Sequence, residues 1–239
     1  MSRLSELSVD GVRRACTVVI VVTDVSRTPR AEQVGATREQ ILRTAERLFA
    51  EQGLYAVSNR QISAAAGQGN NAAVGYHFGT KVDLVRAIVR RHASRVESLR
   101  LEMVSDLGDS DEVRDWVACL VHPTAAHLAA LGDPTWYARF SAQVMTDPVF
   151  RAIMSEEALA TPSLRQVVDG LDRCRPELPP VVQAERGDMT RHLMVHGFAE
   201  RERALAEGVG TPRATWREAA DGLVDAITGL WLAPVTPRT

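Results

Sequence analysis

From Thr37 onward the apolar positions recur at helical spacing. Ile41, Leu42, Ala45, Leu48 and Phe49 fall at offsets 0, 1, 4, 7 and 8, one face of an α-helix. Thr37 stands at the N-cap position with Gln40 in capping-box spacing, and Gly53 supplies a stop. A short second helix follows Ser58, carries Ile62, Ala65 and Ala66, and ends at Gly67. After the turn Gln68-Gly69-Asn70, the stretch Asn70 to His77 makes two more helical turns before Gly79 breaks it. Thr80 then caps a helix bearing Leu84, Val85, Ile88, Val89 and His92.

The remainder repeats the helical period with little strand-like alternation. Helices are expected over 93–107, 111–131, 134–145, 148–159, 163–174, 181–207 and 213–232, with prolines at or near most boundaries. Pro123 falls inside the second of these and should kink or split it. The fold class is all-α: a three-helix helix-turn-helix unit followed by a larger helical domain. The expected division is a tail over 1–36, a DNA-binding unit over 37–92 and an effector-binding and dimerisation domain over 93–239. The tail contains an apolar run, 15–22, too short to span a membrane and followed by no small-residue cleavage site. It reads as a short strand, a poorly ordered segment or an upstream extension of the natural start.

Composition narrows the function classes. The chain has 239 residues, 45% of them hydrophobic, with mean hydropathy −0.11 and net charge −2. No run is long and apolar enough for a membrane-spanning helix, and a histone-like basic protein is excluded. Cys16, Cys119 and Cys174 are odd in number and lack zinc spacing, which fits a reducing cytoplasm and no disulfide framework. Charge is unevenly spread. Residues 37–92 hold eight Lys/Arg against four Asp/Glu, while 93–239 hold fifteen against twenty-two. A basic unit joined to an acidic one suggests that only the first meets a polyanion. Lys81 is the only lysine in the chain.

Two short helices around a glycine-bearing turn in a basic unit describe a helix-turn-helix, although many helical proteins contain such a pair. In a true reader the second helix enters the major groove with its first residues nearest the bases. Here those are Asn70 and Asn71, and asparagine matches adenine bidentately. Tyr76, His77 and Lys81 could contact phosphate, which positions the protein without reading sequence. A core tyrosine is the alternative for Tyr76.

These residues resemble a family. The stretch Thr37 to Phe49, then Ile62-x-x-Ala65-Ala66-Gly67, then Tyr76-His77-Phe78-Gly79-x-Lys81-x-x-Leu84 is similar to the N-terminal domain of the TetR family of bacterial transcriptional regulators. The resemblance covers residues 37–92, and its most specific part is the Tyr-His-Phe element. It implies an all-helical, usually homodimeric protein that binds palindromic double-stranded operator DNA and is released by a small effector held in a variable C-terminal domain. By position it implies that Asn70, Asn71 and Ala72 face bases, and that Thr37, Arg38, Ser58, Arg60, Tyr76, His77 and Lys81 meet phosphate. Phe78 and Leu84 match buried positions. Two features depart from the family pattern: a turn one residue longer than usual, and Asn70-Asn71 in place of a Ser/Thr-containing entry. Gly75 also weakens the reading helix.

The acidic domain supplies the other candidates. Trp136, Tyr137 and Phe140 are the preferred effector-pocket residues, against the alternative that they are core. Trp216, Leu223, Ile227 and Trp231 lie on the apolar stripe of the last helix, which could form a two-fold interface or close the monomer's own core. His192 and His196 share a helix face, but they lack a His-Glu-x-x-His motif and point to no metal. No nucleophile elbow, phosphate loop or dinucleotide fingerprint suggests an enzyme or cofactor. The expectation is a cytoplasmic, effector-released repressor. The alternatives are an effector-independent silencer or activator, and a helical metal-binding or enzymatic module.

Overall fold

The computed structural model describes residues 29–236. Among these there are ten α-helices and no strand. In chain order they are α1 (Pro29–Gln52), α2 (Asn59–Ala65), α3 (Ala73–Phe78), α4 (Lys81–Leu107), α5 (Val113–Leu131), α6 (Tyr137–Thr146), α7 (Pro148–Leu159), α8 (Pro162–Cys174), α9 (Pro180–Ala206) and α10 (Trp216–Leu232). The apolar run at 15–22 and Cys16 lie outside the described residues.

Local sequence accounts for many of the boundaries. Ser58, Thr80 and Thr215 each accept from the backbone N–H three residues on, and Gln61, Asp83 and Glu218 return the bond in full capping boxes. Asp147 caps α7, with Pro148 at its first position. Gly53 and Gly67 end α1 and α2 with φ of 87° and 69°, a region costly for any residue with a Cβ.

Three expectations need correction. Thr37 does not cap α1, because the helix begins well upstream at Pro29 and runs through the expected domain boundary. Proline suits a first helical turn, and Arg30, Ala31, Glu32 and Gln33 after it are all good helix formers. Helix α3 starts at Ala73 rather than Asn70, because the Asn70 Oδ1 accepts from Ala72 N at 2.8 Å and holds a turn there. Pro123 neither ends nor splits α5. Its missing N–H frees the Cys119 carbonyl, four residues earlier, and the Arg100 Nε donates to that oxygen at 3.3 Å.

Two hydrophobic cores result. The first joins Ile41, Phe49, Ile62, Val74, Leu84 and Ile88 of α1–α4 to Phe140 and Val144 of α6 and to Phe150 and Ile153 of α7. The helix-turn-helix is thereby seated on the second half of the chain, with the Phe49 and Phe140 rings stacked 6.3 Å apart. The second core gathers Trp116, Val117, Leu128, Phe198, Ile227 and Trp231 from α5, α9 and α10, with Val167 and Leu171 from α8. Gly170 lets α8 lie on Trp116, since a Cβ there would sit 2.3 Å from the indole ring. Helix α4 is one unbroken 27-residue helix running from the first core into the second half.

Candidate functional site

The turn between α2 and α3 is fixed from inside. The buried Ser63 hydroxyl donates to the Asn71 carbonyl at 3.2 Å and accepts from Val74 N at 3.4 Å. Buried Ala73, Val74 and Phe78 anchor the inner face of α3. Its outer face presents Ala72, Gly75 and Tyr76, at offsets 0, 3 and 4, with Asn71 exposed just before them. Tyr76 is 81% exposed, so it is not a core tyrosine. Nothing lies within 4 Å of a Cβ built on Gly75, so another backbone can approach this face closely. A base-facing role for Asn70 needs qualifying, because its Oδ1 already accepts one bond that holds the turn and only a second lone pair and the amide N–H groups remain.

The residues expected to meet phosphate are placed less uniformly. Arg60 is exposed on α2, and Ser58 is exposed as that helix's cap. The Arg38 Nη1 donates to the His77 carbonyl at 2.8 Å, and its guanidinium lies 4.1 Å from the Phe78 ring centre. It braces the end of α3 while remaining exposed. His77 is half-buried under the Tyr76 ring, and Thr37 is half-buried within α1. Lys81 is turned partly inward. Its ammonium donates to the Leu54 and Val57 carbonyls at 2.9 and 2.6 Å, tying down the loop between α1 and α2. Burial pushes it below the ordinary lysine value, and one of its three N–H donors is left for any phosphate.

The positive balance of 37–92 is also not one outward patch. Arg43 pairs with Glu39 and Arg47 with Glu51, while Arg86 and Arg90 reach across to Glu156 and Glu157 on α7. Arg91 meets Glu39 and Glu46. Most of these cations therefore fasten the unit to itself or to α7. Arg38 and Arg60 are the exposed guanidiniums of the unit that no carboxylate engages among the described residues.

A buried polar seam, which the sequence reading does not single out, crosses the junction between the halves. The Glu46 Oε2 on α1 lies 2.8 Å from the His92 Nε2 on α4, and the His92 Nδ1 lies 2.7 Å from the His127 Nε2 on α5. Tyr137 on α6 stacks on the His92 ring at 3.7 Å. Burial pushes His127 down to about 4, helped by the neighbouring His92, and pushes the Tyr137 hydroxyl up to about 12. Both groups are therefore neutral at pH 7. His92 and His127 lie on otherwise apolar helical faces, which was the available signal.

Beside the seam lies a cavity of about 220 Å³ enclosed by α4, α5, α6, α7, α9 and the start of α8. Val89, Val96, Leu128, Met194 and Phe198 make much of its wall, and Tyr137, Ser141, Thr124, Thr161 and Arg100 bring the polar groups. Of the three expected pocket residues, Tyr137 lines this cavity. Phe140 is fully buried in the first core, and Trp136 packs against that core, because α6 turns one face to each side.

The expected interface stripe also divides. Ile227 and Trp231 face inward, and the Trp231 Nε1 donates to Thr190 at 3.0 Å. Trp216 is half-buried on Phe198, and Leu223 packs over Gly197. Met189, His192, Leu193 and His196 lie on the outer side of α9, with Met189 and Leu193 exposed. The two histidine rings are 6.1 Å apart, and no group of three or more His, Cys, Asp or Glu placed to hold a metal occurs among the described residues. No helix among them is long and apolar enough to cross a membrane.

With this geometry, the sequence profile of bacterial regulatory proteins of the tetR family matches residues 41–88, spanning the helix-turn-helix. A second profile, the tetracyclin repressor-like C-terminal domain, matches residues 118–229. The chain belongs to the TetR family. A curated relative, the HTH-type transcriptional repressor AcnR of Corynebacterium glutamicum, is 30% identical over 121 residues, which cover 48% of this TetR-family chain and 55% of the relative. AcnR of Corynebacterium efficiens is 29% identical over the same length. The chain thus spans about half the length of the curated relatives it matches. Among solved structures, the regulator PfmR of Thermus thermophilus has a TM-score of 0.52 at 15% identity, covering 84% of this chain and 98% of its own. AmtR of Mycobacterium smegmatis has a TM-score of 0.51 at 22% identity, covering 86% and 89%. At those identities the likeness concerns the fold.

Proposed function

We propose that this TetR-family protein is a transcriptional repressor that binds a palindromic operator as a homodimer and is released by a small molecule held in the cavity beside α4. The supporting observation is the continuity of α4. Its first turns carry the packing under α3, and its middle supplies Val89 and Val96 to the cavity wall. A ligand that presses on Tyr137 would also press on the stacked His92, and through it on Glu46 of α1. Only a geometry that places the two reading helices about one DNA turn apart, roughly 34–36 Å, fits both half-sites. A ligand preferring another geometry lowers operator affinity by its differential affinity for the two states.

Asn71, Ala72 and Tyr76 form the reading face, with Arg38 and Arg60 contacting phosphate. Dimerisation uses the exposed α9 face around Met189 and Leu193, flanked by Trp216 and Leu223, rather than Ile227 and Trp231. The protein acts in the cytoplasm, where the chromosome lies. An effector-independent silencer would share the reading head but would have no use for the cavity.

Fluorescence anisotropy against the gene's own upstream DNA tests the reading. Saturable binding that exceeds binding to random DNA, weakens with salt and drops at least tenfold in an Asn71→Ala, Arg60→Ala double variant is the expected result, on the order of 1–3 kcal/mol for one lost base contact. Equal, weak binding of both DNAs by the wild-type protein overturns it.

A further inference from the structure

The cavity of about 220 Å³ is walled mainly by aliphatic and aromatic side chains, yet one wall carries a full positive charge. Arg100 is 7% exposed. Its Nε is used by the Cys119 carbonyl that Pro123 leaves free, and this is its one hydrogen bond among the described residues. The nearest carboxylate, Glu97, lies 4.0 Å from the Arg100 Nη1. Its oxygens already accept from the Ser163 backbone N–H at 3.0 Å and from the Ser163 hydroxyl, at the start of α8. Burial lowers Arg100 from its ordinary value while Glu97 acts in the opposite sense, and a guanidinium so placed keeps its charge. A buried cation whose terminal N–H groups lack close acceptors is costly, and two anionic oxygens would satisfy both. Thr124, Tyr137, Ser141 and Thr161 also bring hydroxyls to the lining, that of Thr161 already donating to the Ala158 carbonyl. Among the residues lining this cavity there is no carboxylate to hold a cationic ligand.

We propose that the cavity takes a small amphiphilic carboxylate, whose acid group pairs with Arg100 and whose hydrocarbon tail lies among Val89, Leu128, Met194 and Phe198. This rests on reading the cavity as the effector site. Because a 150 Å³ cavity holds benzene, about nine or ten non-hydrogen atoms fit, which is the size of octanoate.

Calorimetric titration of the full-length protein with octanoate, octanol and octylamine tests the proposal. Octanoate should bind about tenfold tighter than octanol or better, the increment of one charge-assisted hydrogen-bonded pair, with octylamine weakest. Arg100→Met should reduce octanoate to the level of octanol and leave octanol nearly unchanged. If that variant does not fold, Arg100→Lys keeps the charge but loses the paired donors, and octanoate alone should weaken several-fold. Octanol binding as tightly as octanoate, or no binding of octanoate, overturns the proposal. Operator affinity read separately distinguishes the two claims. Octanoate that binds through Arg100 without releasing DNA leaves the carboxylate site standing and removes effector release. Release by a neutral or cationic compound, with octanoate inert, does the reverse.

Discussion

The core beneath the helix-turn-helix buries Ile41, Phe49, Ile62, Leu84 and Ile88 with almost no charge among them until the Glu46–His92 pair at its edge. The core of the second half buries Arg100, Arg186, Arg201 and Glu202 beside Trp116, Val117 and Trp231. The difference lies in how the helix ends are satisfied. In the head, Ser58 and Thr80 cap α2 and α4 from within their own segments. In the second half, Asp147 and Thr215 cap α7 and α10 in the same local way, but remote charges serve the starts of α6 and α8 and the end of α10. Glu202 on α9 accepts from Ala138 N and Arg139 N at the start of α6, and Glu97 accepts from Ser163 N at the start of α8. Arg186 donates to the Trp231 and Ala233 carbonyls at the end of α10, and Arg201 to those of Arg213 and Ala214 in the loop before that helix. A buried charge given backbone partners is tolerable, whereas one stripped of them is not. The head therefore resembles a rigid apolar plug, and the second half a frame of buried ions around a cavity.

The largest effect should come from the plug. Phe49→Ala removes a fully buried ring and should cost about 3–5 kcal/mol in denaturant unfolding, whereas Met194→Ala on the cavity wall should cost under about 2 kcal/mol. Equal losses at the two sites would erase the contrast between the cores. Next, Glu202→Ala strips two helix N–H groups and Arg139 of their acceptor and should cost about 3 kcal/mol, measured in the same way.

Acid should then act through the seam between the halves. Burial holds His127 near 4 in the folded protein, against about 6.5 unfolded, so the fold favours the neutral ring. Its contribution is complete above about pH 6.5 and declines as the pH falls towards 4, by up to about 3 kcal/mol. A His127→Leu variant should show a flatter stability profile across that window. An unchanged slope would place the acid sensitivity elsewhere. Two small effects belong to the head. Ser58→Ala should cost about 1 kcal/mol through the lost cap. Gly75→Ala should stabilise α3 by roughly 0.5–1 kcal/mol, seen as a raised melting temperature, while weakening operator binding if DNA approaches that bare face.

Legibility followed the range of the interactions. The helical period placed nearly every helix, and Ser58 and Thr80 marked the starts of α2 and α4, while α10, expected from 213, starts at Trp216 behind a Thr215 cap that the sequence reading does not name. The Tyr76-His77-Phe78 element lies where the resemblance implied, at the end of the short second helix of the pair. Two misreadings were local, the Thr37 cap and the start of α3, and the others involve side chains whose partners are distant in sequence. Lys81 matches a phosphate-contacting position, but two of its donors are taken by the Leu54 and Val57 carbonyls, more than twenty residues away. Arg86 and Arg90 looked like part of a basic patch, but α7 carries their carboxylates. Ile227 and Trp231 belong to an apolar stripe whose pattern is the same whether it faces a partner or its own core.

The sequence by itself determined most of the helices, the caps at Ser58 and Thr80 and the family of the helix-turn-helix unit, because each depends mainly on residues within a few positions of one another. The tertiary structure alone decided which charges are buried, which carbonyl Arg100 holds, and that Tyr137 rather than Phe140 faces the cavity. Those outcomes depend on which helix surfaces meet. Periodicity shows that a face is apolar, but it carries no information about what lies opposite that face.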